Sequence, residues 1–272
     1  MIARLTTGIS AGALFLVAIF LPVPGLFVVV AGAVLIVAAR EWSQLCGFGL
    51  LLQIAYVIGL ALSYVFFLVQ LDGLAGALLP LVVLAFSLWI LAIPLLIFYR
   101  KSQAVFSNTW LVAVSGAVFL LSASLGLVWL KTLPDGEWRV TLLVGLVAVA
   151  DTFAYLAGRR FGCNKLAADI SPAKTMEGAL GGFVGNFILA GILVVLIDFS
   201  PISNSFIVAL ILGASLLSIV GDLTESAIKR HSGVKDSGDL LPGHGGILDR
   251  IDGLLAATPF FVLATMLFSA LS

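Results

Sequence analysis

The residues best suited to chemistry lie near the end of the sequence, on a charged segment between two apolar runs. Four of them share the spacing i, i+3, i+4 and i+7: Asp222, Glu225, Ser226 and Lys229. If the preceding apolar helix continues through them, all four project from one face, and carboxylates meet an ammonium group. Glu225 and Lys229 alone would also fit an ordinary supporting ion pair, and that alternative stays open.

Acidic residues also recur where the chain enters or leaves apolar runs. Asp222 has no basic residue one turn upstream, and Asp249 and Asp252 lie three apart at the start of the last run. An unpaired carboxylate near a membrane boundary is costly, so a cation is its natural partner. Magnesium is bound by one or two carboxylates plus substrate phosphates. The pattern therefore favours a magnesium site among these acidic residues.

A glycine-rich stretch lies between these acidic positions. Gly243, Gly245 and Gly246 surround His244 and would let backbone N–H groups approach an anion closely. Basic residues that suit phosphate oxygens bracket the stretch, namely Lys229, Arg230, Lys235 and Arg250. His244 suits a metal ligand, a general base or neither, because imidazole can serve in each role. We expect a site for phosphate groups.

Lipid is the solvent that the composition predicts. The chain has 272 residues, of which 61% are hydrophobic and 10% charged, and its mean hydropathy is +1.21. Soluble domains carry about a quarter charged residues and lack apolar runs of about twenty. The zero net charge gives no general attraction for nucleic acid. We expect an integral membrane protein without a nucleic-acid partner.

Apolar runs long enough to span a bilayer predict an all-α, polytopic protein with about nine transmembrane helices. They lie at 6–22, 25–39, 51–70, 75–98, 108–130, 139–158, 178–198, 204–221 and 252–271. We divide the chain into N-terminal helices, about four of them in residues 1–107, and a catalytic transmembrane region in residues 108–272.

Basic residues predict the orientation, since lysine and arginine near spans stay on the cytoplasmic side. With the N-terminus in the cytoplasm and the C-terminus outside, 12 of the 14 basic residues are cytoplasmic, and only Lys131 and Arg139 are not. Two long charged segments, 158–177 and 222–252, then face the cytoplasm. Hairpins between helices need only a few residues, so the length of these loops indicates function rather than connection alone.

The segment from Ser226 to Asp252 carries a family resemblance. It reads S-x-x-K-R, four residues, K-D, and then P-G-H-G-G-x-x-D-R-x-D. This resembles the signature of the phosphatidate cytidylyltransferases, or CDP-diacylglycerol synthases, with every fixed position present. The arrangement of spans is similar to that family over most of the chain, while the first four spans match only in character.

Two upstream stretches also resemble family motifs, one from Asp151 to Arg159 and one from Ser171 to Gly178. Asp151 lies inside the sixth predicted span with Tyr155 one turn later, and an ionisable residue inside a membrane indicates function. Ser171 before Pro172 predicts a helix N-cap with proline at the first helical position, where phosphate binds well. The glycines at 178, 181, 182 and 185 give two G-x-x-x-G spacings, which we interpret as helix packing.

The resemblance implies a reaction in which CTP and phosphatidate give CDP-diacylglycerol and pyrophosphate, within a homodimer in a prokaryotic inner membrane and with the site facing the cytoplasm. Magnesium would be the cofactor, held by Asp222 and Asp249. We expect the catalytic residues to be Asp222, Lys229, Arg230, Lys235, Asp236, His244, Asp249 and Arg250. We expect the substrate-binding residues to be Asp151, Tyr155, Ser171, Lys174, Thr175, Glu177, Ser226, Gly245, Gly246 and Asp252.

Two other functions remain compatible with the sequence. The enzyme class could act on another lipid phosphate, such as an archaeal ether lipid or an isoprenoid phosphate. A secondary transporter would also contain charges and broken helices within the membrane. Transport fits less well, because the charges cluster at one face of the C-terminal half and the sequence shows no internal repeat.

Overall fold

Helices account for most of the architecture of this chain. The computed structural model describes residues 17–21, 24–69, 74–197, 203–240 and 245–271. Residues 17–20 are helical. The further elements are α1 (Pro24–Leu45), α2 (Leu50–Val69), α3 (Leu74–Ile97), α4 (Tyr99–Phe106), α5 (Thr109–Thr132), α6 (Gly136–Phe161), β1 (Lys165–Ala167), β2 (Ser171–Thr175), α7 (Met176–Leu196), α8 (Asn204–His231) and α9 (Leu248–Leu271).

Eight helices in the described part of the chain are long and apolar enough to cross a membrane. They are all the helices named above except α4, and they match the last eight predicted spans. The structure therefore confirms an all-α, polytopic membrane protein. The predicted span 6–22 falls almost wholly outside the described residues, as do Arg4 and Ser272, so the count of nine and the positions of the termini stay predictions.

The bundle is organised around α5. In its most apolar stretch, 72% of the residues are buried inside the protein, the largest fraction among the eight helices. Trp42 of α1 donates its indole N–H to the Val112 carbonyl oxygen at 2.8 Å, and Trp89 of α3 stacks on Phe119 at a centroid distance of 3.8 Å. Lipid offers helices little hydrophobic reason to associate, so such packing and hydrogen bonds hold them together. Through α5 the N-terminal helices are fixed to the C-terminal ones.

Small residues bring α6 and α7 into close contact. A Cβ atom added to Gly178 would lie 3.0 Å from the Ala154 carbonyl oxygen, and one added to Gly182 would lie 2.9 Å from the Ala150 carbonyl oxygen. Only glycine allows this approach of one backbone to another. The structure confirms that the glycines of α7 pack against a neighbouring helix.

A short hairpin connects α6 to α7, and here one prediction is wrong. Ser171 and Pro172 do not begin a helix but lie in β2, which pairs antiparallel with β1. Proline lacks an N–H group and is tolerated at a sheet edge. The helix begins at Met176 instead, where the Thr175 side chain accepts a hydrogen bond from the Gly178 N–H group at 3.1 Å. Thr175 is therefore the N-cap that we expected Ser171 to be.

The second charged segment is partly helical. Helix α8 continues ten residues beyond the predicted end at residue 221 and stops at His231, while α9 begins at Leu248. The non-helical connection therefore spans residues 232–247, of which 241–244 lie outside the described part. The short helix α4, which was not predicted, buries Tyr99 and Phe106 and exposes Arg100 and Lys101.

Contacts place α4, the hairpin and the C-terminal end of α8 together. Arg100 of α4 forms an ion pair with Asp169 at 2.8 Å, and the Arg230 Nε–H group of α8 donates to the Ile170 carbonyl oxygen at 3.0 Å. Hydrogen bonding to the Arg100 guanidinium holds the pKa of Asp169 below its ordinary value. We call this end of the bundle the site end, because the charged segments 158–177 and 222–252 both meet there.

Candidate functional site

Helix α8 presents its charged residues on one side, as the spacing predicted. Glu225 has a side chain only 3% exposed, and its Oε2 atom lies 3.3 Å from the Lys229 Nζ atom, one turn further on. Besides Lys229, the Glu225 carboxyl group interacts with the carboxyl group of Asp252. Burying a carboxylate is costly, so the contact with Lys229 compensates only part of its desolvation.

Lys229 joins α8 to α9. Its Nζ atom lies 2.5 Å from Asp249 Oδ1, and both side chains are 10% exposed. Lys229 therefore contacts two carboxylates, Glu225 on its own helix and Asp249 at the start of the next. Pairing between buried charges is strong once both are desolvated, and removing one partner leaves the other uncompensated. Lys229 thus fixes the spacing between the acidic ends of the two helices.

The second carboxylate oxygen of Asp249 accepts hydrogen bonds from the loop before α9. Asp249 Oδ2 accepts hydrogen bonds from the Ser237 N–H group at 2.9 Å, the Ser237 hydroxyl at 2.9 Å and the Gly246 N–H group at 2.8 Å. Gly245 has a φ of +82°, and a Cβ added there would lie 2.6 Å from Asp249 Oδ2. Gly246 thus donates its backbone N–H group to an anion, and that anion is the protein's own Asp249.

Asp222 is paired with a residue of the hairpin. Lys174 of β2 forms an ion pair with Asp222, and the two side chains are 26% and 33% exposed. The Ser226 hydroxyl donates to Asp222 Oδ1 at 3.4 Å. Although no basic residue lies one turn upstream, the fold supplies a cation from another element. Lys174 and Ser226 thus both contact Asp222.

Asp151 and Asp252 complete the group. Asp151 interacts electrostatically with Asp222, Lys174 and Arg250, and Asp252 interacts with Asp222 and Glu225. We call the whole set the acidic cluster: Asp151, Asp222, Glu225, Asp249 and Asp252, with the cations Lys174, Lys229 and Arg250. Carboxylates outnumber cations in this set, and the described residues contain no group of three or more acidic, histidine or cysteine side chains arranged to hold a metal ion.

Other predicted residues have different partners. Glu177 accepts hydrogen bonds from the N–H groups of Cys163 and Asn164 at 3.1 and 3.2 Å, so it shapes the turn after α6. Tyr155 is 63% exposed, and its hydroxyl accepts a hydrogen bond from Arg159 at 3.3 Å. Thr175 caps α7. The structure gives these three residues structural contacts, and their predicted role in binding substrate stays a prediction.

The remaining predicted residues lie around the loop. Lys235 and Asp236 are exposed between α8 and α9, while Arg230 is tied to the hairpin through Ile170. Ser171 lies in β2 and is half-buried. His244 and Gly243 fall outside the described residues.

One residue of the site end was missed. Glu41 of α1 is 5% exposed, and its carboxylate accepts hydrogen bonds from the N–H groups of Ile247 and Leu248 at 3.0 and 2.8 Å. The only local signal was an acidic residue two positions after the end of the apolar run 25–39. Nothing near it in sequence indicates that its partners lie more than 200 positions away.

Comparison with known proteins shows which family this sequence matches. The chain matches the model of the cytidylyltransferase family over residues 2–268. It is 41% identical over 251 residues to the phosphatidate cytidylyltransferase of Pseudomonas aeruginosa, which covers 90% of this chain and 88% of that protein. It is 36% identical over 276 residues to that of Haemophilus influenzae, covering 95% and 96%. The Bacillus subtilis phosphatidate cytidylyltransferase is 46% identical over 119 residues, covering 44% of each chain.

The contacts of Lys229 yield a prediction about stability. We expect Lys229→Met to destabilise the protein by roughly 3–5 kcal/mol, because it leaves Asp249 and Glu225 without their shared cation. The measurement is thermal unfolding of purified protein in detergent. Lys101→Met, the same substitution on the exposed face of α4, is the control and should change stability little. Equal unfolding temperatures for the two variants would contradict the assigned bridge.

Proposed function

This chain belongs to the cytidylyltransferase family, and from that premise we propose that it is a phosphatidate cytidylyltransferase, which converts CTP and phosphatidate into CDP-diacylglycerol and pyrophosphate. The likeness to the Pseudomonas aeruginosa and Haemophilus influenzae proteins extends over nearly the whole chain. The structural observation that carries the proposal is the acidic cluster, where five acidic residues lie beside Lys174, Lys229 and Arg250 at one end of the membrane helices. Such a site suits a reaction between two phosphates.

The reaction needs no nucleophilic side chain. A phosphate oxygen of phosphatidate is ionised at neutral pH and attacks the α-phosphorus of CTP. A new P–O bond forms, the bond from the α-phosphorus to the oxygen that bridges to the β-phosphate breaks, and pyrophosphate leaves with that electron pair. The chain's contribution is therefore to position two anions in line and to offset their repulsion.

Magnesium is the cofactor that we propose, with Asp222 and Asp249 as its ligands. The fit rests on the chemistry of the donors, because both ligands belong to a group of carboxylates that interact electrostatically. In the described residues Asp222 pairs with Lys174, and both oxygens of Asp249 have partners, so binding the metal would replace some of these contacts. Carboxylate oxygens are the donors that magnesium prefers, and substrate phosphates would complete its coordination. When bound, the metal supplies positive charge that offsets the charge developing on the phosphates.

The basic residues have roles that follow from their positions. Lys174 pairs with Asp222, and it would contact phosphate oxygens once Asp222 binds the metal. Lys235 is exposed on the loop, where its ammonium group is accessible to a nucleotide from solvent. Arg250, one residue after Asp249, lies within electrostatic reach of Asp151. Together these cations would hold the phosphates of CTP and of the lipid.

We propose further that the site faces the cytoplasm of a prokaryotic inner membrane. Support comes from the basic residues, 12 of 14 of which fall on one side when the predicted N-terminus is placed inside. Acyl chains would stay in the lipid while the headgroup meets a water-soluble nucleotide at the site end. A homodimer is also proposed, and it follows from the family resemblance.

A lipid product assay tests the function directly. Purified protein is reconstituted in vesicles that contain phosphatidate, and CTP labelled at the α-phosphate is added with magnesium. We expect label in the organic phase as CDP-diacylglycerol, together with an equal amount of pyrophosphate, and neither product in vesicles without phosphatidate. Label that enters lipid only when an isoprenoid phosphate replaces phosphatidate, or solute uptake without labelled lipid, would overturn the proposal.

Asp249→Asn tests the proposed metal ligand. Asparagine has nearly the same shape but no charge, so we expect the turnover of the folded protein to fall about 100-fold or more. The unfolding temperature should also fall, because Lys229 loses its charged partner. Activity is measured with labelled CTP, and folding is measured by size-exclusion chromatography and thermal unfolding. Asp169→Asn removes the same charge from the exposed tip of the hairpin and should keep normal activity. Near-normal turnover by Asp249→Asn would remove Asp249 from the metal site.

Lys235→Ala tests the proposed contact between Lys235 and the phosphates of CTP. We expect the KM for CTP to rise about tenfold, which corresponds to losing one charge-assisted hydrogen bond, with a smaller effect on kcat. The measurement is the rate as a function of CTP concentration at saturating phosphatidate. Lys101→Ala on α4 provides a matched control. An unchanged CTP dependence would show that Lys235 does not contact the nucleotide.

A further inference from the structure

Glu41 links the N-terminal helices to the acidic cluster, and we infer that it is a positioning residue for the reaction. It lies at the site end of α1, buried with 5% exposure, between exposed Arg40 and buried Trp42. The inference rests on the proposed function. It adds that a carboxylate outside the charged segments determines where Asp249 is held.

The first contact of Glu41 is with the beginning of α9. One carboxylate oxygen accepts from the Ile247 N–H group at 3.0 Å, and the other accepts from the Leu248 N–H group at 2.8 Å. The first N–H groups of a helix have no partner within the helix, and the helix dipole favours an anion there. Glu41 thus serves as the N-terminal cap of α9, although it belongs to another helix.

The second contact reaches Asp249 through Ser237. The Ser237 hydroxyl lies 2.9 Å from Asp249 Oδ2 and 3.2 Å from Glu41 Oε2. A hydroxyl has one proton to donate, so it donates to one carboxylate at a time and lies against the other. Among the ion pairs of the described residues, none includes Glu41. Its charge is instead opposed by the N–H groups and the hydroxyl of this one loop.

The loop is shaped to fit around Glu41. A Cβ added to Gly238 would lie 2.7 Å from Glu41 Oε1, and one added to Gly246 would lie 2.5 Å from Glu41 Oε2. Any larger residue at either position would displace the carboxylate or the loop. Gly246 therefore leaves room for the Glu41 carboxylate and also donates its N–H group to Asp249.

Contacts with two other elements hold the end of α1, the helix that carries Glu41, in place. Trp42, next to Glu41, is 1% exposed and donates to the Val112 carbonyl oxygen of the central helix α5 at 2.8 Å. Near the end of α1, the Ser232 hydroxyl donates to the Leu45 carbonyl oxygen at 2.6 Å. The end of α1 is thus attached both to the core and to the start of the loop. A carboxylate held in this way can fix the position of α9 relative to α8.

The closing experiment compares Glu41→Gln with Glu137→Gln, the same substitution at the opposite end of the bundle, where Glu137 pairs with Lys131. Glutamine keeps one acceptor but turns an NH2 group toward a backbone N–H donor. We expect hydrogen exchange at the amides of Ile247 and Leu248 to rise at least about tenfold in the Glu41→Gln protein without metal or nucleotide, and to be unchanged in Glu137→Gln.

Kinetics provide the second readout. Because Asp249 would be held less firmly, we expect Glu41→Gln to raise the magnesium concentration needed for half-maximal activity, with a lower kcat. Ser237→Ala removes the hydroxyl that lies between Glu41 and Asp249 but leaves the hydrogen bonds from Ile247 and Leu248 to Glu41. It should therefore raise the magnesium requirement without increasing exchange at Ile247 and Leu248. In the double variant the two effects should not multiply, since both act through one contact. If Glu41→Gln does not fold, Glu41→Asp, which keeps the charge but shortens the side chain by one methylene group, takes its place in both readouts.

Several outcomes would overturn the inference: unchanged exchange at Ile247 and Leu248 in folded Glu41→Gln, an unchanged magnesium requirement in Ser237→Ala, or fully multiplicative effects in the double variant. These are distinct from failure of the proposed function. If the unaltered protein makes no CDP-diacylglycerol, the proposed function fails. The exchange comparison needs neither substrate nor metal and still reports whether Glu41 holds the α9 N-terminus.

Discussion

The contact between the Lys229 ammonium group and the Asp249 carboxylate is the interaction on which the site depends. At 2.5 Å it joins two helices that each carry acidic residues, in a place where both side chains are 10% exposed. Desolvated carboxylates repel one another, and α8 and α9 could not place Glu225 and Asp249 together without a shared cation. Asp151 and Asp252 both interact electrostatically with Asp222. We propose that a further cation binds among these carboxylates.

The lipid environment explains the rest of the architecture. Lipid cannot hydrogen-bond to the backbone, so the chain spans it as helices, and the irregular loop and the hairpin lie at the site end. Within the bundle, glycines of α7 let α6 approach closely, and indole groups of α1 and α3 contact the central helix α5. This rigid packing matters for chemistry, because Glu41, Lys174 and Asp249 come from separate elements and must meet within hydrogen-bonding distance.

Features that depend on local pattern were accessible from the sequence. Apolar length predicted the eight helices of the described part, and helical spacing predicted the common face of Asp222, Glu225, Ser226 and Lys229. Features set by tertiary contacts were not. Ser171 looked like a helix cap, but pairing with β1 made it part of a strand, and Thr175 took the cap. The partners of Glu41 lie more than 200 residues along the chain, so no local pattern could indicate them.

The central claim is that the acidic cluster binds a divalent cation together with the phosphates of CTP. Manganese can replace magnesium at sites built from carboxylate and phosphate oxygens, and its electron spin reports nearby phosphorus nuclei. The most direct measurement is therefore electron–nuclear double resonance of the purified protein with manganese and CTP. We predict a phosphorus coupling from protein-bound manganese that is lost in Asp222→Asn. Manganese that binds the protein equally well in Asp222→Asn, with the same phosphorus coupling, would contradict the account.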